Sequence, residues 1–377
     1  MGWLRFFRCC RRRPRMPRVW RSAAATVRSP AQAQQAARCD EGRSGAWLAG
    51  RRTAGGGPVE SAPPNYYDHS SRAEDLASLD HDPQRWREDF QRAGDGKKNP
   101  DMFVIRKMRK VIWLQTEKWI SNNLRQLPPV ITYIWPEEGA GTMVSEFAPE
   151  VEVVEQDILE HAQELARSHR VAVLNMASAA QPGGGFREGA GAQEENLHRR
   201  SDLVRFLDTR WYPLPEDKCL VSKDVTVFRG SEKEGYPFLE AWASGQLACS
   251  QPKEKFYVDF LTCAAVRYPH VHVDHCGCRY KYPDDEESMR KKARAILGAA
   301  TAAHCDAVVL SAFGCGAFGN PPEEVARVFQ EELRTACLKK VSFCIFNDHN
   351  SGRRHNPRGN FIPFKEAFAR RERSMDL

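Results

Sequence analysis

Three consecutive glycines, Gly183, Gly184 and Gly185, stand just past the apolar, partly β-branched run Val171-Ala172-Val173-Leu174. Without Cβ atoms they let the backbone turn sharply and come close to a ligand. Placed between a buried strand (170–176) and a polar helical stretch (193–207), they prescribe a strand–loop–helix unit. Their N–H groups, turned together, are suited to an anion, most naturally a phosphate. A plain flexible turn is the competing reading of any triple glycine. The polar set Asn175, Gln193, Glu194 and Glu195 around the same strand end favours a ligand site.

The same unit recurs near the C-terminus. After the strand 307–310, Gly314, Gly316 and Gly319 satisfy Gly-x-Gly-x-x-Gly ahead of a helix opened by Pro321 and Pro322. A dinucleotide site would want an acid about twenty residues on, where Lys339 and Lys340 stand, so a dehydrogenase reading is weak. What survives is a second backbone cradle for phosphate at Gly314, Gly316, Ala317 and Gly319, with Phe318 offering a flat face to a sugar or base. Helical spacing at 102–122, 157–168, 286–303, 322–336 and 361–370, with strands at 151–154, 256–261 and 341–346, predicts an α/β fold. One sheet is then covered by helices on both faces.

Adjacent glutamates on a helix project about 100° apart, so Glu194 and Glu195 are not expected to share one role. A helix N-terminus favours the charged carboxylate, whereas a general acid needs a raised pKa. Whichever acts as acid should therefore be shielded.

Pro182-Gly183-Gly184-Gly185, seven residues, then Gln193-Glu194-Glu195 resembles the signature of the microbial-type poly(ADP-ribose) glycohydrolases, which are macrodomains. The likeness extends through the strand 171–175, Arg200-Ser201, the strand 257–262 and the loop 314–321, over roughly residues 105–370. It implies a macrodomain-like three-layer fold with a mixed sheet. It also implies Glu195 as catalytic acid/base, Glu194 as a ribose-orienting partner, 183–185 and 316–319 on either side of a diphosphate, and Asn175 near the distal ribose. The partners it implies are poly(ADP-ribose) or ADP-ribosylated proteins, and the chemistry needs neither metal nor cofactor. Members often carry Asn-Phe-Ala-Asn where this chain has Asn175-Met176-Ala177-Ser178, so Ser178 weakens one expected ribose contact. The alternatives are an ADP-ribose reader without turnover and a hydrolase of ADP-ribose on protein side chains.

Composition bounds the rest. The 377 residues carry a net charge of +7, but residues 1–60 alone hold 13 Arg against Asp40, Glu41 and Glu60. The body is therefore near neutral and is not expected to bind DNA directly. Residues 1–66 read as a disordered basic tail resembling a mitochondrial or plastid transit peptide, with a simple tail (nuclear or cytoplasmic protein) as the alternative. Residues 67–104 are expected as a linker and accessory region, and 371–377 as a tail. No apolar run is long enough to span a bilayer. The 12 cysteines lack regular spacing and read as reduced core residues of an intracellular protein. His270, His272, His275, Cys276 and Cys278 raise zinc against a polar hairpin. Arg353, Arg354, His355 and Arg358 read either as a solvated loop or as contacts for an anionic polymer, and 231–237 as a mobile connection.

Overall fold

Short acidic side chains and prolines decide where the helices begin. Asp82, Asp101 and Asp157 accept backbone N–H groups from the turns that follow them, opening α2 (Pro83–Ala93), α3 (Met102–Asn123) and α4 (Ile158–Leu165). Prolines in the first turn open α6 (Pro283–Ala302) and α7 (Pro322–Glu332). The remaining helices are α1 (Ala73–Ala77), α5 (Gln193–Arg200) and α8 (Phe361–Ser374). The computed structural model describes residues 67, 70–94, 99–136, 148–240, 254–274, 277–348 and 350–374. The tail expected at 1–66 lies outside them, as do His275 and Cys276.

Seven strands form one mixed sheet: β1 (Ile131–Trp135), β2 (Glu150–Val154), β3 (Val171–Met176), β4 (Cys219–Val227), β5 (Phe256–Cys263), β8 (Ala307–Leu310) and β9 (Lys340–Cys344). Their order is β1-β4-β5-β3-β8-β9-β2. β4 runs antiparallel to both neighbours and every other pair is parallel. The two-residue period of a strand sorts its side chains onto the two faces. Ala172 and Leu174 of β3 pack under α6, α7 and α8 with Ile296, Phe329 and Phe364. Val171 and Val173 pack on the other face with Leu159 of α4 and Leu197 of α5. The expected three-layer arrangement is thus observed.

A third core joins Trp86, Phe90, Ile105, Met108, Ile112 and Tyr236. The 67–104 stretch therefore carries helices packed on the body rather than a linker. Two further expectations are corrected. The helix predicted over 193–207 ends at Arg200, because Ser201 turns extended and bridges to Val227. The helix predicted to 370 runs on to Ser374.

β6 (Val271–Asp274) and β7 (Gly277–Tyr280) pair as an antiparallel hairpin carrying His270, His272 and Cys278. Among the described residues no three His, Cys, Asp or Glu side chains gather as a metal site. The described cysteines are free, and all but the half-buried Cys337 are buried. No helix among those residues is long and apolar enough to cross a membrane.

Candidate active site

β3 and β8 are parallel neighbours, so the loops that follow them leave the same edge of the sheet side by side. The segment after β5, the other neighbour of β3, borders them: Ala177 N–H donates to the Cys263 carbonyl at 3.0 Å. The two glycine loops and the paired glutamates are thereby brought together.

In the first loop Gly183 and Gly184 adopt the left-handed region, at φ 73° and 56°. That conformation turns their amides inward. Gly183 N–H donates to Glu194 Oε1 at 3.0 Å, Ser178 N–H to Glu194 Oε2 at 2.7 Å and Gly185 N–H to Glu195 Oε1 at 2.9 Å. The expectation that this loop aims its N–H groups at a phosphate is corrected here. Two of its three glycine amides grip the carboxylates, because the short loop folds back over the first turn of α5.

A Cβ on Gly184 would lie 2.5 Å from Glu195 Oε1. Glu194 and Glu195 are only 3% and 7% exposed. Burial pushes the Glu194 carboxyl up to about 8, with the neighbouring Glu195 charge adding to the rise against the hydrogen bonds from Ser178 and Gly183. Glu195 Oε2 is buried without a hydrogen-bond partner, as is Asn175 Oδ1. The Asn175 amide nitrogen donates to Thr262 Oγ1 at 3.2 Å.

Gln193 ties the helix to the sheet: it accepts from Met176 N–H at 2.9 Å and donates to the Leu174 carbonyl at 2.6 Å. Its amide is thus engaged at both ends by β3. Ser178 Oγ accepts from Ala180 N–H at 3.2 Å, a local turn.

The second loop is built the other way round. Its ends are closed by Cys315 N–H to Ala312 O and Asn320 N–H to Gly314 O. Among the described residues the N–H groups of Gly316, Ala317 and Phe318 have no acceptor in the protein. Three successive donors of this kind can form a nest for an anion. The Cys315 carbonyl is held from behind by His355 Nε2 at 2.8 Å and Asn356 Nδ2 at 3.3 Å. The basic stretch 353–358 thus backs the second loop, with Arg353 and Arg354 exposed beside it.

The supports of α5 were not legible in the sequence. Tyr236 is fully buried; its hydroxyl donates to Glu232 Oε2 at 2.8 Å and accepts from Arg199 Nε at 2.8 Å. Arg199 also donates to the Ala190 carbonyl at 2.7 Å, just ahead of the helix. Arg109 of α3 clamps Glu232 with two bonds of 2.8 Å. Burial works against the Glu232 charge, yet Arg109 outweighs it and keeps the carboxyl below its ordinary range. The run 231–237 is therefore a brace with a capping box at Ser231 and Glu234, not the mobile connection expected. Under the first loop His198 is fully buried, its Nδ1 bonded to the Glu194 carbonyl at 2.8 Å, and burial lowers its pKa to about 4.

Residues 120–230 match the family described as microbial-type PARG, catalytic domain, and residues 259–329 match the macro domain. The crystal structure of poly(ADP-ribose) glycohydrolase from Thermomonospora curvata bound to the inhibitor ADP-HPD is 26% identical. The similarity covers 70% of this chain and 98% of that one, at a TM-score of 0.50. The chain is thus similar to the microbial-type poly(ADP-ribose) glycohydrolases over 120–230 and to macro domains over 259–329. A second structure of the Thermomonospora glycohydrolase is 27% identical, with the same coverage and TM-score. The glycohydrolase from Deinococcus radiodurans in complex with ADP-ribose is 27% identical over 61% of this chain and 86% of that one, at a TM-score of 0.45. No curated protein sequence matches the chain. The two family matches divide the site between them: the first glycine loop and both glutamates lie in the glycohydrolase match, the second loop in the macro-domain match.

Proposed function

We propose that this chain hydrolyses the ribose–ribose glycosidic bonds of poly(ADP-ribose) and releases ADP-ribose, with Glu195 as general acid and base. The observation that carries the assignment is the state of that carboxyl. One oxygen is fixed by Gly185 N–H, while the other is buried and unpartnered, in the helix that follows β3, the parallel neighbour of β8. A buried polar atom without a partner costs free energy and marks a group kept for a ligand.

Glu195 Oε2 gives its proton to the leaving ribose oxygen as the C–O bond breaks. The oxocarbenium-like centre is stabilised by the substrate's own diphosphate, seated on the amides of Gly316, Ala317 and Phe318. The resulting carboxylate then takes a proton from the attacking water, which restores the acid. Burial and the neighbouring carboxylate raise the Glu194 carboxyl, so the pair keeps one proton at neutral pH. In the complex that proton sits on Glu195 Oε2, while both Glu194 oxygens accept the N–H groups of Ser178 and Gly183. The backbone of Gly183, Gly184 and Gly185 walls the diphosphate, and Gly314 and Gly319 supply the turns that shape the second loop. Asn175 Oδ1 accepts from a hydroxyl of the distal ribose, Phe318 packs on the sugar, and Gln193 fixes the helix. The catalytic unit is residues 105–370, braced by the helices of 67–104.

Incubating purified poly(ADP-ribose) with the full chain tests the reading. Release of ADP-ribose is expected; retention of polymer without release means a reader, and release only from singly modified proteins means the side-chain hydrolase.

A further inference from the structure

Tyr268 is doubly unusual. Its backbone lies in the left-handed region at φ 53°, and its side chain is 63% exposed. L-residues avoid that backbone region, and here no burial compensates for it. Such strain, held by surrounding structure, concentrates where a chain meets a ligand. Residues 264–268 leave the C-terminal end of β5 and reach the second glycine loop. Asn320 Nδ2 donates to the Val266 carbonyl at 2.7 Å, and Tyr268 N–H to the Phe318 carbonyl at 2.9 Å. Because β3 lies between β5 and β8, this segment crosses over the end of β3, where the site opens. The Tyr268 ring stands 6.5 Å from that of Phe318, inclined by 55°. The Arg267 guanidinium sits 5.1 Å over the Tyr268 ring and, among the described residues, has no carboxylate partner. An open aromatic face and an unpaired guanidinium are thus presented together at the rim of the diphosphate nest.

We propose that Arg267 and Tyr268 form a second nucleoside-diphosphate subsite. It takes the ADP-ribose unit next along the polymer, with adenine stacked on Tyr268 and the diphosphate paired with Arg267. The inference rests on the polymer reading above and adds to it a grip outside the cleft. Base–aromatic stacking tolerates any base, and a guanidinium adds both cation–π and anion contacts.

The test is a ratio of affinities, measured with the full chain carrying Glu195→Gln so that turnover does not interfere. Tyr268→Asn suits the left-handed backbone but has no aromatic face. It is expected to weaken retention of long poly(ADP-ribose) by about 10-fold or more, while free ADP-ribose, which fills only the cleft, binds within about twofold of the unsubstituted chain. Tyr268→Phe should keep the polymer affinity, and Arg267→Ala should lower both that affinity and its salt dependence. Polymer affinity unchanged in Tyr268→Asn overturns the subsite; so does an equal loss for free ADP-ribose, which would place Tyr268 inside the cleft. Turnover of polymer by the unsubstituted chain is scored separately. Its absence refutes the hydrolase reading, while the affinity ratio still decides the subsite.

Discussion

Replacing Gly184 by alanine tests the placement of Glu195 through a single added methyl. The new Cβ would lie 2.5 Å from Glu195 Oε1 and 3.2 Å from Glu194 Oε2, so the Glu195 carboxylate must move by about 1 Å to reach ordinary contact. A misplacement of that size at a reacting group costs on the order of 100-fold in rate. The left-handed backbone at φ 56° adds about 1–2 kcal/mol of strain, a fall in Tm of roughly 2–8 °C for a chain of this size. Gly352→Ala separates the two effects. Gly352 is also left-handed, at φ 75°, but a Cβ there meets nothing within 4 Å. It should lower Tm by a similar amount and leave release of ADP-ribose from polymer intact, whereas Gly184→Ala should lower both. Turnover of Gly184→Ala equal to that of the unsubstituted chain would refute the position given to Glu195.

Other consequences follow from the site's charges and supports. Glu194 binds its proton more tightly folded than unfolded, so its contribution to stability is lost as pH rises from its ordinary value of 4.5 through about 8. Urea midpoints should fall across that window, with a shallower slope in Glu194→Gln, and kcat/KM on polymer should decline above about pH 8 as the pair loses its shared proton. Asn356→Ala removes bonds to the Cys315 and Asn350 carbonyls and the Asn360 side chain. Calorimetry should show weaker ADP-ribose binding, with turnover at saturation changed less. Tyr236→Phe deletes the hydroxyl between Glu232 and Arg199 and should cost about 1.5–3 kcal/mol in chemical denaturation, since both partners are charged.

The first loop and its glutamates were legible because they lie within 13 positions of each other and follow the apolar run of β3. The second loop was legible for the same reason, beside β8. What the loops do with their amides was not, because amide direction follows φ, and only the folded chain shows Gly183 and Gly185 turned to the carboxylates. β4 was hidden by Lys223 and Asp224, which interrupt its apolar run where its pairing with β5 shifts register. β1 is an edge strand with one exposed and four half-buried residues, a weak pattern for a strand. The brace of Arg109, Glu232, Tyr236 and Arg199 joins side chains as much as 123 positions apart in the sequence, and no local pattern announces it.

The most direct measurement compares Glu195→Gln with the unsubstituted chain in two assays, release of ADP-ribose from purified polymer and affinity for free ADP-ribose. Glutamine keeps the size of the side chain and an acceptor for Gly185 N–H but has no proton to transfer. The account predicts a fall in release of about 10²–10⁴-fold with affinity nearly unchanged. Undiminished release by Glu195→Gln, or a loss of affinity as large as the loss of release, would contradict it.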